Sequence, residues 1–244
     1  MQDLLKFSSM KGNAKLVKLG KVGYTFSLPS GHTCPSAKDC LSKAVKREEK
    51  YVIQDGPKTI FRCFSATQEV IYKAVREQRQ YNYNLLKSKK SIEDMATLIS
   101  KSLPESSDLV RIHVGGDFFT ENYMRAWAKT AELNPESVFY AYTKSLPFWV
   151  NMLNDKAIPD NFKLNASKGG KHDSLIDKYG LKYAEVVYSE QEAIDKGLEI
   201  DHDDSHAFTQ DKSFALLLHG VQPKGSVAAE ALKKLNGKGS YSKK

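Results

Sequence analysis

The chain has 244 residues, 41% of them hydrophobic and 27% charged, with a formal net charge of +8. That composition excludes a disordered chain, a collagen-like fibre and a coiled-coil rod, and the length is ample for a sizeable core. The longest strictly apolar runs, such as Phe214 to Leu218, are a handful of residues against the roughly 20 of a membrane span.

The chain opens Met1-Gln2-Asp3-Leu4-Leu5-Lys6, with no charged region leading into an apolar stretch and a cleavage site. A cytoplasmic protein, without a membrane partner, is the expectation. Residues 15–28 alternate around Gly20 and Gly23 and predict an N-terminal β-hairpin. Residues 29–58 follow as a loop-rich insert that holds Cys34 and Cys40. Apolar, β-branched or aromatic runs then recur at 60–66, 110–114, 138–142, 162–166, 184–188 and 214–218, and predict six strands. Helical spacing fills the gaps, first over 67–86 with Val70, Ile71, Ala74, Val75, Tyr81 and Leu85. Ser91 with Asp94 opens a second helix, Thr120 caps a third, and Pro147 suits the first turn of a fourth. Residues 224–244 close the chain as a helix with a basic tail of charge +5, and residues 1–50 carry +6. Basic ends fit contact with nucleic acid, or simply a solvated terminus.

Alternating strands and helices predict an α/β fold with a parallel sheet. Six βα units make either a six-stranded partial (TIM-like) barrel or an open doubly wound sheet. The expected organisation is one α/β domain over 1–223, with 15–58 as its hairpin and Cys-bearing loop, then the 224–244 appendage. Each expected strand ends in small polar or reactive residues: Ser65, Gly115-Gly116-Asp117, Thr143-Lys144, Ser167-Lys168, Ser189 and His219. Parallel α/β folds place ligands at the carboxyl ends of strands, so a small-molecule site is expected on that rim.

Three constellations carry candidate chemistry. The only cysteines, Cys34, Cys40 and Cys63, fall within 30 residues. An odd count argues against a disulfide framework, and three thiolates brought together make a soft-metal site. An iron–sulfur cluster on three cysteines leaves one iron open; zinc would call on His32 as fourth ligand. Second, Arg111-Ile112-His113-Val114-Gly115-Gly116-Asp117 places a glycine pair and a carboxylate at a strand end, where a ligand can approach the backbone. Third, His202, Asp204 and His206 alternate, and on an extended strand would face one way as a metal or acid–base group. Ser167-Lys168-Gly169-Gly170-Lys171 is a further candidate anion loop.

The run from about Leu19 to Leu235 resembles a family of bacteriophage proteins, gene product 88. The match rests on Gly31-His32-Thr33-Cys34-Pro35, Phe61-Arg62-Cys63-Phe64-Ser65, Gly115-Gly116-Asp117-Phe118-Phe119, Tyr140-Ala141-Tyr142-Thr143-Lys144-Ser145 and Asp201-His202-Asp203-Asp204-Ser205-His206. It implies a phage origin. More distantly, the three cysteines and the Gly115-Gly116-Asp117 strand end resemble the radical S-adenosylmethionine enzymes. That resemblance implies a 4Fe–4S cluster on Cys34, Cys40 and Cys63, with S-adenosylmethionine at its open iron and near Gly115, Gly116 and Asp117. The sequence departs from that family in two ways: the usual C-x3-C-x2-C spacing is absent, and Asp117 stands where a glutamate is usual.

The leading expectation is therefore an iron–sulfur enzyme acting on a nucleotide or nucleic acid. Ser65, Thr143, Ser167, Lys168, Gly115, Gly116 and Asp117 would hold the ligand. His113, Asp117, Lys144, His202, Asp204 and His206 would be its acid–base or anion-binding groups. The alternatives are a zinc-stabilised nucleic-acid-binding protein, and a metal-dependent hydrolase built on His202, Asp204 and His206.

Overall fold

The computed structural model describes residues 3–13 and 15–235. Its strands are β1 (Ser8–Ser9), β2 (Gly23–Phe26), β3 (Ser42–Arg47), β4 (Lys50–Asp55), β5 (Leu109–Ile112), β6 (Val138–Thr143), β7 (Phe162–Ser167), β8 (Tyr183–Val187), β9 (Glu199–Ile200) and β10 (Phe214–Leu217). Its α-helices are α1 (Phe64–Ile71), α2 (Lys73–Lys87), α3 (Ile92–Ser102), α4 (Glu121–Glu132), α5 (Leu146–Asn154), α6 (Ser174–Tyr179), α7 (Glu190–Asp195), α8 (His206–Thr209) and α9 (Val227–Lys234).

The fold is α/β with a mostly parallel sheet, but the main sheet among the described residues has eight strands rather than six, in the order β1-β2-β5-β6-β7-β8-β10-β9. Within that sheet, among the described residues, only the β1–β2 pair is antiparallel. From β2 to β8 the order follows the chain without a central reversal, which a doubly wound sheet would require.

The strands have two apolar faces, as buried parallel strands must. One face presents Val110, Ile112, Phe139, Ala141, Leu164 and Ala166 to the largest core, with Met95 and Ile99 of α3, Tyr123 and Trp127 of α4, and Met152 of α5. The alternate positions, Leu109, Tyr140, Ala184 and Phe214, pack with Met10, Leu16 and Ala207 on the other face. A third cluster joins Val187, Ala215 and Leu217 to Ala193 of α7 and Ala228 of α9.

The caps follow the sequence. Ser91 Oγ accepts from the Asp94 amide at 3.0 Å, Thr120 Oγ1 from the Tyr123 amide at 3.3 Å, and Pro147 lies in the first turn of α5. Three expectations fail. Residues 60–66 form no strand: Cys63 is extended at the N-cap of α1, and Ile60 is exposed. Short apolar runs fit a helix start as well as a strand. Residues 15–28 form no hairpin: Leu16–Leu19 is a 3-10 turn ended by Gly20 at φ 62°, and β2 runs parallel to β5. The hairpin is β3–β4, inside the segment read as loop. Its strands are charged and half-exposed, which hides their alternation. The tail beyond Leu235 lies outside the described residues. No helix among the described residues is long and apolar enough to cross a membrane.

Candidate functional site

A cavity of about 170 Å³ opens at the carboxyl ends of the central strands. Cys34, Cys40 and Cys63 all line it, as do Gly115, Gly116 and Asp117 after β5, Lys144 after β6, Ser167 at the end of β7, and His219 after β10.

The cysteines arrive from two segments that the fold stitches in place. The Cys34–Cys40 loop is tied to the loop after β7: the Asp39 amide donates to the Gly169 carbonyl at 3.0 Å, and the Lys171 amide donates to the Ser36 carbonyl at 2.9 Å. The Gly31 amide donates to Cys34 Sγ at 3.3 Å. Cys63 stands at the N-cap position of α1, where the nearby Ala66 and Ser65 amides favour its thiolate. Burial pushes all three thiols up, Cys63 to about 11, and repulsion from the other thiols adds to it at Cys34 and Cys63. Without a cation among them the three are neutral thiols. A bound metal reverses that balance, because coordination deprotonates a thiol.

Among the described residues, no three His, Cys, Asp or Glu side chains stand close enough together to hold a single metal ion. His32 is not beside the cysteines. Its Nε2 lies 3.0 Å from the Ala44 carbonyl, and its ring lines a different cavity with Tyr51, Glu69 and Arg76.

Asp117 is buried and joins two strand ends. Its Oδ1 accepts from the Phe118 amide at 2.7 Å and Thr143 Oγ1 at 2.6 Å, and its Oδ2 from the Lys144 amide at 2.8 Å. Burial raises its carboxyl to about 6, against the pull of those three donors. Lys144 Nζ donates to the Ser167 carbonyl, Ser167 Oγ and the Lys168 carbonyl at 2.6–2.9 Å, which uses all three of its protons. It braces β6 to β7 and brings a positive charge that favours the Cys40 thiolate. Asp117 and Lys144 are thus committed to holding the rim together.

The glycine pair makes room first for the chain itself. A Cβ on Gly115 would stand 2.1 Å from Ser65 Oγ, and one on Gly116 2.6 Å from Thr33 Oγ1. Ser65 is buried under that contact, and Thr143 Oγ1 is spent on Asp117. Lys168 points outward, paired with Glu185 at 2.9 Å. The amides of Gly169 and Gly170 each donate to the Asp173 carboxylate at 2.8 Å, so the candidate anion loop already holds an anion of its own chain.

His113 turns away from the strand at φ 68°, and its Nε2 pairs with Tyr123 Oη at 3.0 Å. Burial lowers its pKa to about 3, and that of His219 to about 4, so both rings are neutral.

His202, Asp204 and His206 do not converge. Residues 202–205 form a turn rather than a strand, with Asp204 at φ 70°. Asp204 plunges into the cavity wall, whereas His206 begins α8 and faces Glu199 and Asp201 at 3.3 and 3.6 Å. Asp204 instead receives Lys15 Nζ at 2.6 Å, Arg111 Nη1, and Tyr140 Oη at 3.1 Å. Arg111, with Lys15, lowers its carboxyl to about 2 against burial. Sequence reasoning passed over Lys15, Arg111 and Tyr142, all on the cavity wall. Arg111 had a signal, a lone charge in the apolar strand Leu109-Val110-Arg111-Ile112. Lys15 had none.

Comparison with known proteins gives a family. Over 144 residues the chain is 29% identical to the Gene 88 protein of Mycobacterium phage L5, covering 54% of this chain and 51% of that protein. It is 28% identical to the Gene 88 protein of Mycobacterium phage D29 over the same length, 54% of this chain and 50% of that protein. The chain thus spans about half the length of these relatives. No solved structure matches it. The family model described as Gene product 88 matches residues 4–237, and the chain belongs to that family.

Proposed function

We propose that the protein is an iron–sulfur enzyme, with a 4Fe–4S cluster on Cys34, Cys40 and Cys63 and a small ligand beside it. The observation that carries this reading is the meeting of three half-buried thiols, two from one loop and one from the start of α1, in one cavity at the strand ends where parallel α/β proteins bind ligands. The donor set fits: thiolates are the usual cluster ligands, and the amides facing Cys34 and Cys63 offset sulfur charge. A cluster attaches each thiolate to a different iron, so its cysteines stand further apart than the ligands of one ion. Singly wound strands with a ligand cavity on the face away from α3 to α5 support a partial barrel, the architecture of the radical S-adenosylmethionine enzymes.

When bound, such a cluster supplies one-electron chemistry at an iron left open to a ligand. The chain's own residues hold that ligand. Asp117 and Lys144 fix the loops after β5 and β6. Phe61, Phe64 and Leu218 give the cavity an apolar wall, and the neutral His219 offers a ring without adding charge.

The test is anaerobic reconstitution with iron and sulfide, followed by S-adenosylmethionine. Wild-type protein should take up a brown cluster and Cys34→Ala, Cys40→Ala and Cys63→Ala should each fail to retain it. A changed spectrum on adding S-adenosylmethionine would extend the reading to that cofactor. An unchanged one would confine it to a cluster with another ligand.

A further inference from the structure

The β3–β4 ribbon stands outside the main sheet and is paired from Ser42↔Asp55 to Arg47↔Lys50. Its two faces differ. Ser42 and Ala44 are buried, and Ala44 and Tyr51 line a cavity with Glu69 of α1 and Arg76 of α2. The Arg76 guanidinium lies over the Tyr51 ring, 3.7 Å from its centroid. That face is committed to the two helices. Alternation puts Lys43, Val45 and Arg47 of β3 and Lys50, Val52 and Gln54 of β4 on the opposite face, in the rungs Lys43↔Gln54, Val45↔Val52 and Arg47↔Lys50. Neither valine belongs to the three apolar cores, and Arg47, Lys50 and Gln54 are exposed.

The cations of that outer face form no ion pair among the described residues. The acids around the ribbon are held by other cations: Asp55 by Arg62 at 2.5 Å, Glu69 by Arg79 at 2.7 Å and Glu77 by Lys73 at 3.6 Å. Lys46 adds a further exposed cation, and Glu48 and Glu49 make the turn at the tip. Such a face complements a polyanion. Two strands about 4.8 Å apart are narrow enough to enter the major groove of B-DNA, about 12 Å wide. Arginine, lysine and glutamine are the donors that read guanine and adenine there, and an aliphatic side chain meets a thymine methyl. Single strands are held by stacking on aromatic rings, and the outer face has none, since Tyr51 is turned inward. A-form RNA closes its major groove to side chains. Duplex DNA is the polyanion that fits.

We propose that the outer face of the β3–β4 ribbon docks in the major groove of duplex DNA, with Lys43, Arg47 and Lys50 as its cationic contacts. The ribbon lies between Cys40 and Cys63 in the chain, and its Asp55 holds Arg62 of the cavity wall, so it grows from the rim of the cysteine cavity. The assignment does not depend on iron at the thiols, and it puts the DNA contact on the ribbon rather than on the basic ends of the chain.

The test is fluorescence anisotropy of the whole chain with a labelled two-turn DNA duplex, a single strand of the same sequence and an RNA duplex, each over a salt series. The DNA duplex should bind most tightly, with an affinity that falls as salt rises. Arg47→Gln/Lys50→Gln should weaken that binding at least tenfold and lower the slope of log K against log salt by about 2. Glu48→Gln/Glu49→Gln, which removes the acids of the turn, should tighten it. Lys243→Gln/Lys244→Gln takes the same charge from the tail and should leave the affinity within twofold. The ribbon and turn positions are exposed, so these variants keep the fold, which circular dichroism checks. A single strand or an RNA duplex bound as tightly as duplex DNA would overturn the proposal. So would no binding at low salt, an affinity unchanged in Arg47→Gln/Lys50→Gln, or an equal loss in the tail variant.

Discussion

Gly116 sits at φ 86° with Leu28 Cβ 2.7 Å and the Leu28 carbonyl 2.9 Å from where a side chain would begin. Both the backbone conformation and the space exclude a methyl group. Gly116→Ala should destabilise the protein by roughly 2–4 kcal/mol in urea unfolding, from left-handed strain and overpacking together. An unaltered midpoint would mean that the β5 rim is not packed as described. His113 carries a pH prediction. Its folded pKa of about 3 lies below the unfolded value of about 6.5, so the unfolded chain binds the proton first. Its contribution is full above pH ~6.5 and declines as pH falls towards 3, by up to about 1.4 kcal/mol per unit. The stability advantage of wild type over His113→Asn should therefore narrow as pH falls from 6.5. A constant advantage would place the ring in solvent. At this scale the sequence singled out Asp117, Lys144 and the glycine pair, but not their work. A Gly-Gly-Asp at a strand end reads the same whether it admits a ligand or its own neighbours, and only the approach of Thr33, Leu28 and Ser65 distinguishes the two.

Among the elements, α1 and α2 anchor the cysteine region to the sheet. Glu69 of α1 is 2% exposed and accepts from Arg79 of α2 at 2.7 Å and from the Ser30 amide and hydroxyl at 2.9 Å. Arg79 also donates to the Ser65 carbonyl. One buried ion pair thus ties both helices to the chain that leads into Cys34. Removing one partner strands the other, so Glu69→Ala should cost about 3–5 kcal/mol in chemical unfolding. A loss below 1 kcal/mol would show that the pair does not anchor this region. The N-cap variant Thr120→Ala, at a residue that does not line the cavity, should cost only about 1 kcal/mol and leave cluster retention unchanged. Retention as poor as in a cysteine variant would show that the α4 cap, and not the thiols alone, decides whether the cluster is held. Strands β5, β6, β7, β8 and β10 were legible because burial on both faces leaves nearly continuous apolar runs. Strand β2 was legible but its partner was not, because Gly20 and Gly23 mimic a hairpin turn while one ends a 3-10 turn and the other starts a strand parallel to β5. The β3–β4 hairpin was hidden by the exposed lysines, arginine and glutamine of its strands.

For the whole molecule, the sequence led correctly to an α/β chain with a mostly parallel sheet and to a cavity at the carboxyl ends of its strands. It missed the charged wall because Lys15, Arg111 and Asp204 are up to 189 residues apart and meet only through the sheet order. It also joined His202, Asp204 and His206 on a strand that does not form, since Asp203 and Asp201 cap a tight turn instead. The central claim is that Cys34, Cys40 and Cys63 act together as cluster ligands. It is tested most directly by iron and sulfide analysis with a visible absorption spectrum, on protein purified without oxygen. The account predicts a brown protein with about four iron and four sulfide per chain, as a cubane cluster requires. A colourless protein that holds neither iron nor sulfide, even after reconstitution, would contradict it.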